Sequence, residues 1–326
     1  MNLVQNHPEI FIYLSTLFIS IYYVMIKKFK QHMMILYFWL HALSYFAFSL
    51  IFLFQERLVP QALQQLAMDT SYHNSPLYLL SAVSLVGTYI ILDKLIKVYP
   101  VATILALSQI SIVLSTVGYI ALGDKVSFIS LVGIGILFMG AMISGLEKFN
   151  IKHPLKSFES YDKKLLYLSI IKALLYTATL LITYLCTAKY SDVTKHILHL
   201  LTKHLHFIPF VAIAPIHFNI GVQFANFVLM FLFITYILKE KNLIFKTMVK
   251  EYPLILQLSA LYILNAYYYY KAFDLIEDKN YITAISKIYL PLTLILSCWV
   301  YHQKPSKEQV VGMAIIIVGS FITTFG

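Results

Sequence analysis

Two lysines lie inside runs of residues apolar enough for lipid: Lys172 within SIIKALLYTATLLIT and Lys287 within AISKIYLPLTLILSCWVY. On insertion scales a lysine at the centre of a membrane helix costs about 2.5 to 3.5 kcal/mol. Either its ammonium group snorkels to the membrane surface, or a partner rewards its depth. Every Asp and Glu falls near the end of an apolar run, so no deep carboxylate is at hand. A bound anion is the remaining partner. It would be helped by Tyr176, one turn beyond Lys172, and by the backbone that Pro291 deprives of a helical hydrogen bond.

Polar residues recur at helical spacing around these lysines. Ser169, Lys172, Tyr176, Thr179 and Thr183 are three or four residues apart and form one stripe. Facing lipid, that stripe would be unfavourable, so it should face the interior of a bundle or a wet cavity. Thr16, Ser20 and Tyr23 make a second stripe; Ser108, Ser111, Ser115 and Tyr119 a third; Asn219, Gln223 and Asn226 a fourth. Gln257, Asn265 and Tyr267 to Tyr270 make a fifth. Ser and Thr also tie membrane helices together, and tyrosines gather in interfacial belts. Five stripes in one chain nevertheless point to a polar central cavity. The candidate substrate-binding set is Lys287, Lys172, Tyr176, Ser108, Ser111, Asn265, Tyr269, Tyr23 and Pro291.

Other chemistries find little footing. In KHILHLLTKHLHF, His196 and His199 are one turn apart and His204 and His206 follow, but zinc needs further deprotonated ligands held by outer hydrogen bonds. Lys195, His196, His199, Lys203 and His206 share one helical face opposite Leu198, Leu201 and Leu205, the pattern of a helix lying in the membrane interface. His41 reads as a packing histidine that could titrate near neutral pH, and Cys186 and Cys298 as small core residues. With no phosphate loop, dinucleotide fingerprint, zinc-peptidase motif or nucleophile elbow, we expect no catalytic residue, metal or cofactor.

Composition dictates what kind of element must hold these residues. The chain is 60% hydrophobic and 12% charged, with a mean hydropathy of +0.75, which marks an integral membrane protein. A spanning helix needs about 20 apolar residues. Ten segments qualify: 9–26, 34–54, 77–96, 100–121, 127–146, 164–188, 211–238, 253–273, 280–301 and 307–325. They leave no room for a soluble catalytic or nucleic-acid-binding domain, so the net charge of +10 reflects topology. The N-terminal MNLVQNHPEI lacks a basic signal-peptide region, so the first apolar run stays as a span. Of the 25 basic residues, sixteen fall in loops on one side, including Lys27, Lys28, Lys30 and Lys148 to Lys164, and seven on the other. That bias places the loop around Asn150 in the cytoplasm and both termini outside it.

The chain also repeats itself. KVSFISLVGIGILFMGAMI (125–143) aligns with KPSKEQVVGMAIIIVGSFI (304–322), and LIKVYPVAT (95–103) with LIEDKNYIT (275–283). Residues 1–147 thus form a first five-helix unit, 148–163 a connecting loop and 164–326 a second unit. Because five is odd, the second copy enters the membrane from the opposite side, giving an inverted repeat. In each closing helix, Gly133 with Gly140 and Gly312 with Gly319 offer a small-residue face for close packing, within the chain or, in a homodimer through helices 5 and 10, between copies.

This layout resembles the ten-helix, EamA-like branch of the drug/metabolite transporter superfamily. The likeness rests on LGDKVS (122–127) and YHQKPS (301–306), each a short turn before a glycine-spaced helix, with Asp124 and Gln303 where many members carry glutamate. It implies an all-α integral membrane fold of ten transmembrane helices in two inverted five-helix repeats, with a cavity lined by helices 1, 3, 4, 6, 8 and 9. Many members keep their termini in the cytoplasm, opposite to the charge bias here. The expected function is a secondary transporter, with lipid bilayer and a small-molecule substrate as partners, in a bacterial inner membrane. Two central lysines favour an anionic or zwitterionic cargo such as an amino acid, a phosphorylated metabolite or a nucleotide derivative. A tyrosine-caged carrier of quaternary amines and a non-transporting membrane subunit are the rivals.

Overall fold

The computed structural model describes residues 7–29, 33–55, 75–99, 104, 107–123, 125–144, 146, 163–187, 215–239, 241–276, 279–302 and 304–325. The histidine-rich segment 195–206, the loop around Asn150, and Asp124 and Gln303 lie outside them. The described elements are helical and include no strand. Inside hydrocarbon only a helix or a closed barrel satisfies every backbone group. Six helices are long and apolar enough to cross a membrane, which marks a membrane protein.

In chain order the elements are α1 (Glu9–Ile26), α2 (Met33–Gln55), α3 (Ser75–Ile96), α4 (Ile110–Ala121), α5 (Phe128–Ser144) and α6 (Lys163–Thr187). There follow α7 (Pro215–Leu232), α8 (Lys241–Leu275), α9 (Lys279–Ser286), α10 (Tyr289–Tyr301) and α11 (Lys307–Phe325). A π-helical turn, Phe233–Ile237, extends α7 and closes with Leu238 N–H donating to Phe233 C=O at 3.1 Å. Lys239 then takes a left-handed backbone, φ 57°, and stops the helix.

Three expected segments, the fourth, eighth and ninth, differ from their elements. The eighth, expected at 253–273, is the second part of a 35-residue helix with non-helical angles at Glu251, two residues before Pro253. Proline lacks the N–H that would continue the ladder and crowds the preceding turn, which explains the kink. The ninth, expected as continuous over 280–301, is broken into α9 and α10 by a turn at Lys287 and Ile288. Ser108 and Gln109 form a comparable turn ahead of α4.

Helix α1 packs on α8 and α10, α6 on α3 and α4, and α7 on α2 and α3. The contact between α5 and α11 is of a different kind. Gly133 faces Gly319 and Thr323, while Gly140 faces Gly312 and Ile316, so the helices run antiparallel with their backbones touching. A Cβ on Gly140 would lie 2.7 Å from Ile316 N, and one on Gly312 would lie 2.6 Å from Gly140 O. The small-residue faces of α5 and α11 therefore meet inside one chain. The outer faces, with Phe128, Ile129, Val318 and Phe321, are exposed.

Both ends of the bundle are apolar. Ile26, Met33, Leu95, Leu165, Ile234 and Ile244 belong to a large cluster where α1, α3 and α7 end and α2, α6 and α8 begin. A smaller cluster, with Ile12, Leu122, Tyr184, Phe273 and Ile282, closes the other end.

Candidate functional site

Between these clusters lies a cavity of about 260 Å³. Its wall carries Ser15, Thr16, Tyr22 and Tyr23 of α1, Tyr37 of α2, and Ser81, Thr88 and Tyr89 of α3. Ser108, Gln109 and Ser111 come from the turn before α4 and its first residues, and Lys172, Tyr176, Thr179 and Thr183 from α6. Asn219 and Gln223 of α7 and Tyr262, Asn265, Tyr269 and Tyr270 of α8 follow, then Ser286, Lys287 and Tyr289 at the break between α9 and α10. Among the described residues the lining holds two lysines and no Asp, Glu or His.

Much of the hydroxyl content is spent within its own helix. Thr16 donates to Ile12 C=O at 2.7 Å, Thr88 to Ser84 C=O at 3.0 Å, and Thr183 to Thr179 C=O at 2.9 Å. These bonds let a hydroxyl be buried without a ligand, and so the Ser and Thr stripes serve mostly as structure. The amides and amines are different. Asn265 accepts from Ser15 Oγ at 2.8 Å, and Gln109 donates to Tyr289 Oη at 3.2 Å, joining the turn ahead of α4 to the start of α10.

Lys172 is 8% exposed and Lys287 7%, and both line the cavity. Lys172 Nζ donates to Ser108 Oγ, which in turn donates to Ile104 C=O at 2.6 Å. The Lys287 ammonium makes no hydrogen bond or ion pair with the described residues and lies 6.0 Å from the Tyr176 ring centre. A pair of ammonium groups with no carboxylate on their wall makes a field that an anionic group would neutralise. Neither lysine snorkels to an end of the bundle.

Of the nine candidate substrate-binding residues, all but Pro291 line this one cavity. Pro291 is buried one turn past Lys287. The Lys287 carbonyl that it leaves without a helical donor accepts from Leu290 N–H at 3.0 Å. Ser115, Tyr119 and Asn226 are buried away from the lining, and Gln257 is exposed on the outer face of α8. Five lining tyrosines escaped the sequence reading: Tyr22, Tyr37, Tyr89, Tyr262 and Tyr289. Ser81 and Thr88, seven residues apart on α3, carried a legible stripe signal. The tyrosines carried none, because a tyrosine in an apolar helix reads equally as an interfacial belt residue. Several are committed to one another: Tyr37 stacks on Tyr89 with centroids 4.0 Å apart, and Tyr23 on Tyr289 at 5.4 Å.

His41 is fully buried beside this wall, bonded through Nδ1 to Gln223 Oε1, with Gln223 Nε2 donating to Asn219 Oδ1 at 3.0 Å and to Tyr262 Oη at 3.4 Å. It therefore holds a wall residue in place through Nδ1, while its buried Nε2 has no hydrogen-bond partner among the described residues.

No protein-family model matches the chain, and no curated protein matches it. One solved crystal structure, titled only as that of a protein, is similar over 98% of this chain and 97% of its own, with a TM-score of 0.63 at 10% identity. That likeness extends to the fold alone.

Proposed function

We propose that this protein is a secondary transporter of the drug/metabolite type, carrying a small anionic or zwitterionic metabolite by alternating access. The carrying observation is the pair Lys172 and Lys287 on the wall of a cavity whose described lining holds no carboxylate. The candidate cargoes are an amino acid, a phosphorylated metabolite or a nucleotide derivative. No covalent step is needed, so the reading is of a carrier and not an enzyme.

The ten-helix inverted repeat belongs to this proposal, and two features support it. Ser108 and Lys287 lie seventeen residues before the matching lysines Lys125 and Lys304, and each begins a two-residue turn. Each turn has a short-range backbone bond, Ser111 N–H to Ser108 C=O at 3.2 Å and Leu290 N–H to Lys287 C=O at 3.0 Å. Paired helix breaks at the midplane are where inverted-repeat carriers bind cargo. The glycine contacts exchange in the same way, since Gly133 with Gly319 becomes Gly312 with Gly140 when the matched positions are swapped. Under this reading the three shorter apolar helices α4, α5 and α10 and the second part of α8 complete the spans, in a bacterial inner membrane.

One observation favours a cation carrier instead: the tyrosine-rich wall could cage a quaternary amine. Counterflow in liposomes, with labelled amino acids, phosphorylated metabolites and quaternary amines, separates the readings. We expect uptake of an anionic or zwitterionic solute, abolished by Lys287→Ala and by Lys172→Ala while the variants keep the wild-type melting temperature. Lysine to arginine should retain partial binding. Wild-type transport by folded Lys287→Ala would sink the anion reading; no counterflow of any solute would favour a non-transporting subunit.

A further inference from the structure

We propose that the first part of α8, Lys241–Glu251, is an in-plane anchor that binds a leaflet rich in anionic phospholipid. The whole of α8 has 35 residues. At 1.5 Å per residue it is about 52 Å long, far more than a hydrocarbon core of about 30 Å accepts. From Pro253 to Leu275 the helix is by itself long enough to cross. The kink at Glu251 (φ −114°, ψ 16°) turns the part before it away from that axis.

The faces of this part say where it lies. Ile244 is 0% and Thr247 2% exposed, and Trp39 Nε1 fixes the segment by donating to Ile244 C=O at 3.2 Å. On the outer side Phe245, Val249 and Tyr252, spaced four and three residues, form an apolar stripe exposed by 66, 78 and 55%. Lys246 and Lys250 form an exposed stripe beside it. Water would leave the apolar stripe uncovered, and hydrocarbon would strip the lysines of hydration. The boundary layer of a bilayer accommodates both, with side chains such as Phe245 among the acyl chains and the ammonium groups among the headgroups. Anionic headgroups are the complement of the positive field, because Lys239, Lys27, Lys28, Lys163 and Lys164 are exposed at the same end of the bundle.

The test uses the full chain with Cys186 and Cys298 replaced by serine and with Val249→Cys carrying an environment-sensitive fluorophore. It is reconstituted in vesicles of phosphatidylcholine alone or mixed with phosphatidylglycerol, each with brominated acyl chains. We expect the bromines to quench the label, and more strongly in the phosphatidylglycerol vesicles. The excess should fall by more than half in K246Q/K250Q and vanish at high salt, where the Debye length shortens to about 3 Å. Absent quenching, equal quenching in both vesicles, or an excess that K246Q/K250Q retains would each overturn the proposal. So would quenching that follows protein density and not lipid charge, which would mean a second copy covers the stripe.

Discussion

The seam between α5 and α11 and the wall of the cavity are built by opposite rules. At the seam the residues that matter have no side chain, and two backbones touch at Gly133, Gly140, Gly312 and Gly319. At the cavity the residues that matter have long side chains that end in a charge or a hydroxyl, held off one another by an open volume of about 260 Å³. One region stabilises by leaving nothing out; the other keeps room for something to come in. Substitutions should therefore register as stability at the seam and as transport at the cavity.

The sharpest way to break this contrast is Gly140→Leu. Its Cβ alone would lie 2.8 Å from Gly312 O, so we expect little folded protein, read as loss of the monodisperse peak in size-exclusion chromatography. A well-folded Gly140→Leu would mean the seam is loose. Next comes Gly133→Ala, whose Cβ would lie 2.6 Å from Thr323 N. Overpacking of this kind costs about 1 to 3 kcal/mol, seen as a lower melting temperature. Gly135→Ala is the internal control, because nothing lies within 4 Å of its Cβ and its melting temperature should hold or rise.

At the cavity, Ser108→Ala removes the oxygen that accepts from Lys172. A hydrogen bond to a charged group contributes about 1.5 to 3 kcal/mol, so cargo affinity measured by counterflow should shift by roughly tenfold or more with little change in melting temperature. Tyr289→Phe, which takes away the acceptor of Gln109, should have the smallest effect, about 0.5 to 1.5 kcal/mol, seen as a few-fold change in affinity. A large loss of stability from either would show that the wall is structural like the seam.

The seam was legible because glycines at one spacing recur in two aligned stretches, and only close packing asks for that pattern. Lys172 and Lys287 were legible because a charge inside an apolar run is costly and so calls for a reason. The break at Lys287 was not, since a proline within an apolar run is compatible with a kinked but continuous helix, and only the geometry shows the ladder interrupted before it. The long first part of α8 was missed because KNLIFKTMVKEY has too many lysines for a span, and hydropathy cannot tell a helix from a loop outside the membrane. Gln257 was misassigned for a simpler reason. Eight residues separate it from Asn265, and at 100° per residue that gap drifts from the cavity side to the outer side of α8.

The unequal apolar clusters at the two ends have a thermal consequence. In the carrier proposed above, opening the cavity toward the end where α1 meets α2 would expose part of a large cluster that includes Met34, Ile35 and Leu36, each at most 1% exposed. Opening toward the other end disturbs the smaller cluster around Ile12 and Phe273. Hydrating apolar surface carries a positive heat capacity of about 0.45 cal/K/mol for each Å² uncovered. The step that opens the heavier end should therefore show a visibly curved Eyring plot, while the step at the lighter end stays nearly straight, so that zero-trans rates measured in the two directions respond differently to cooling.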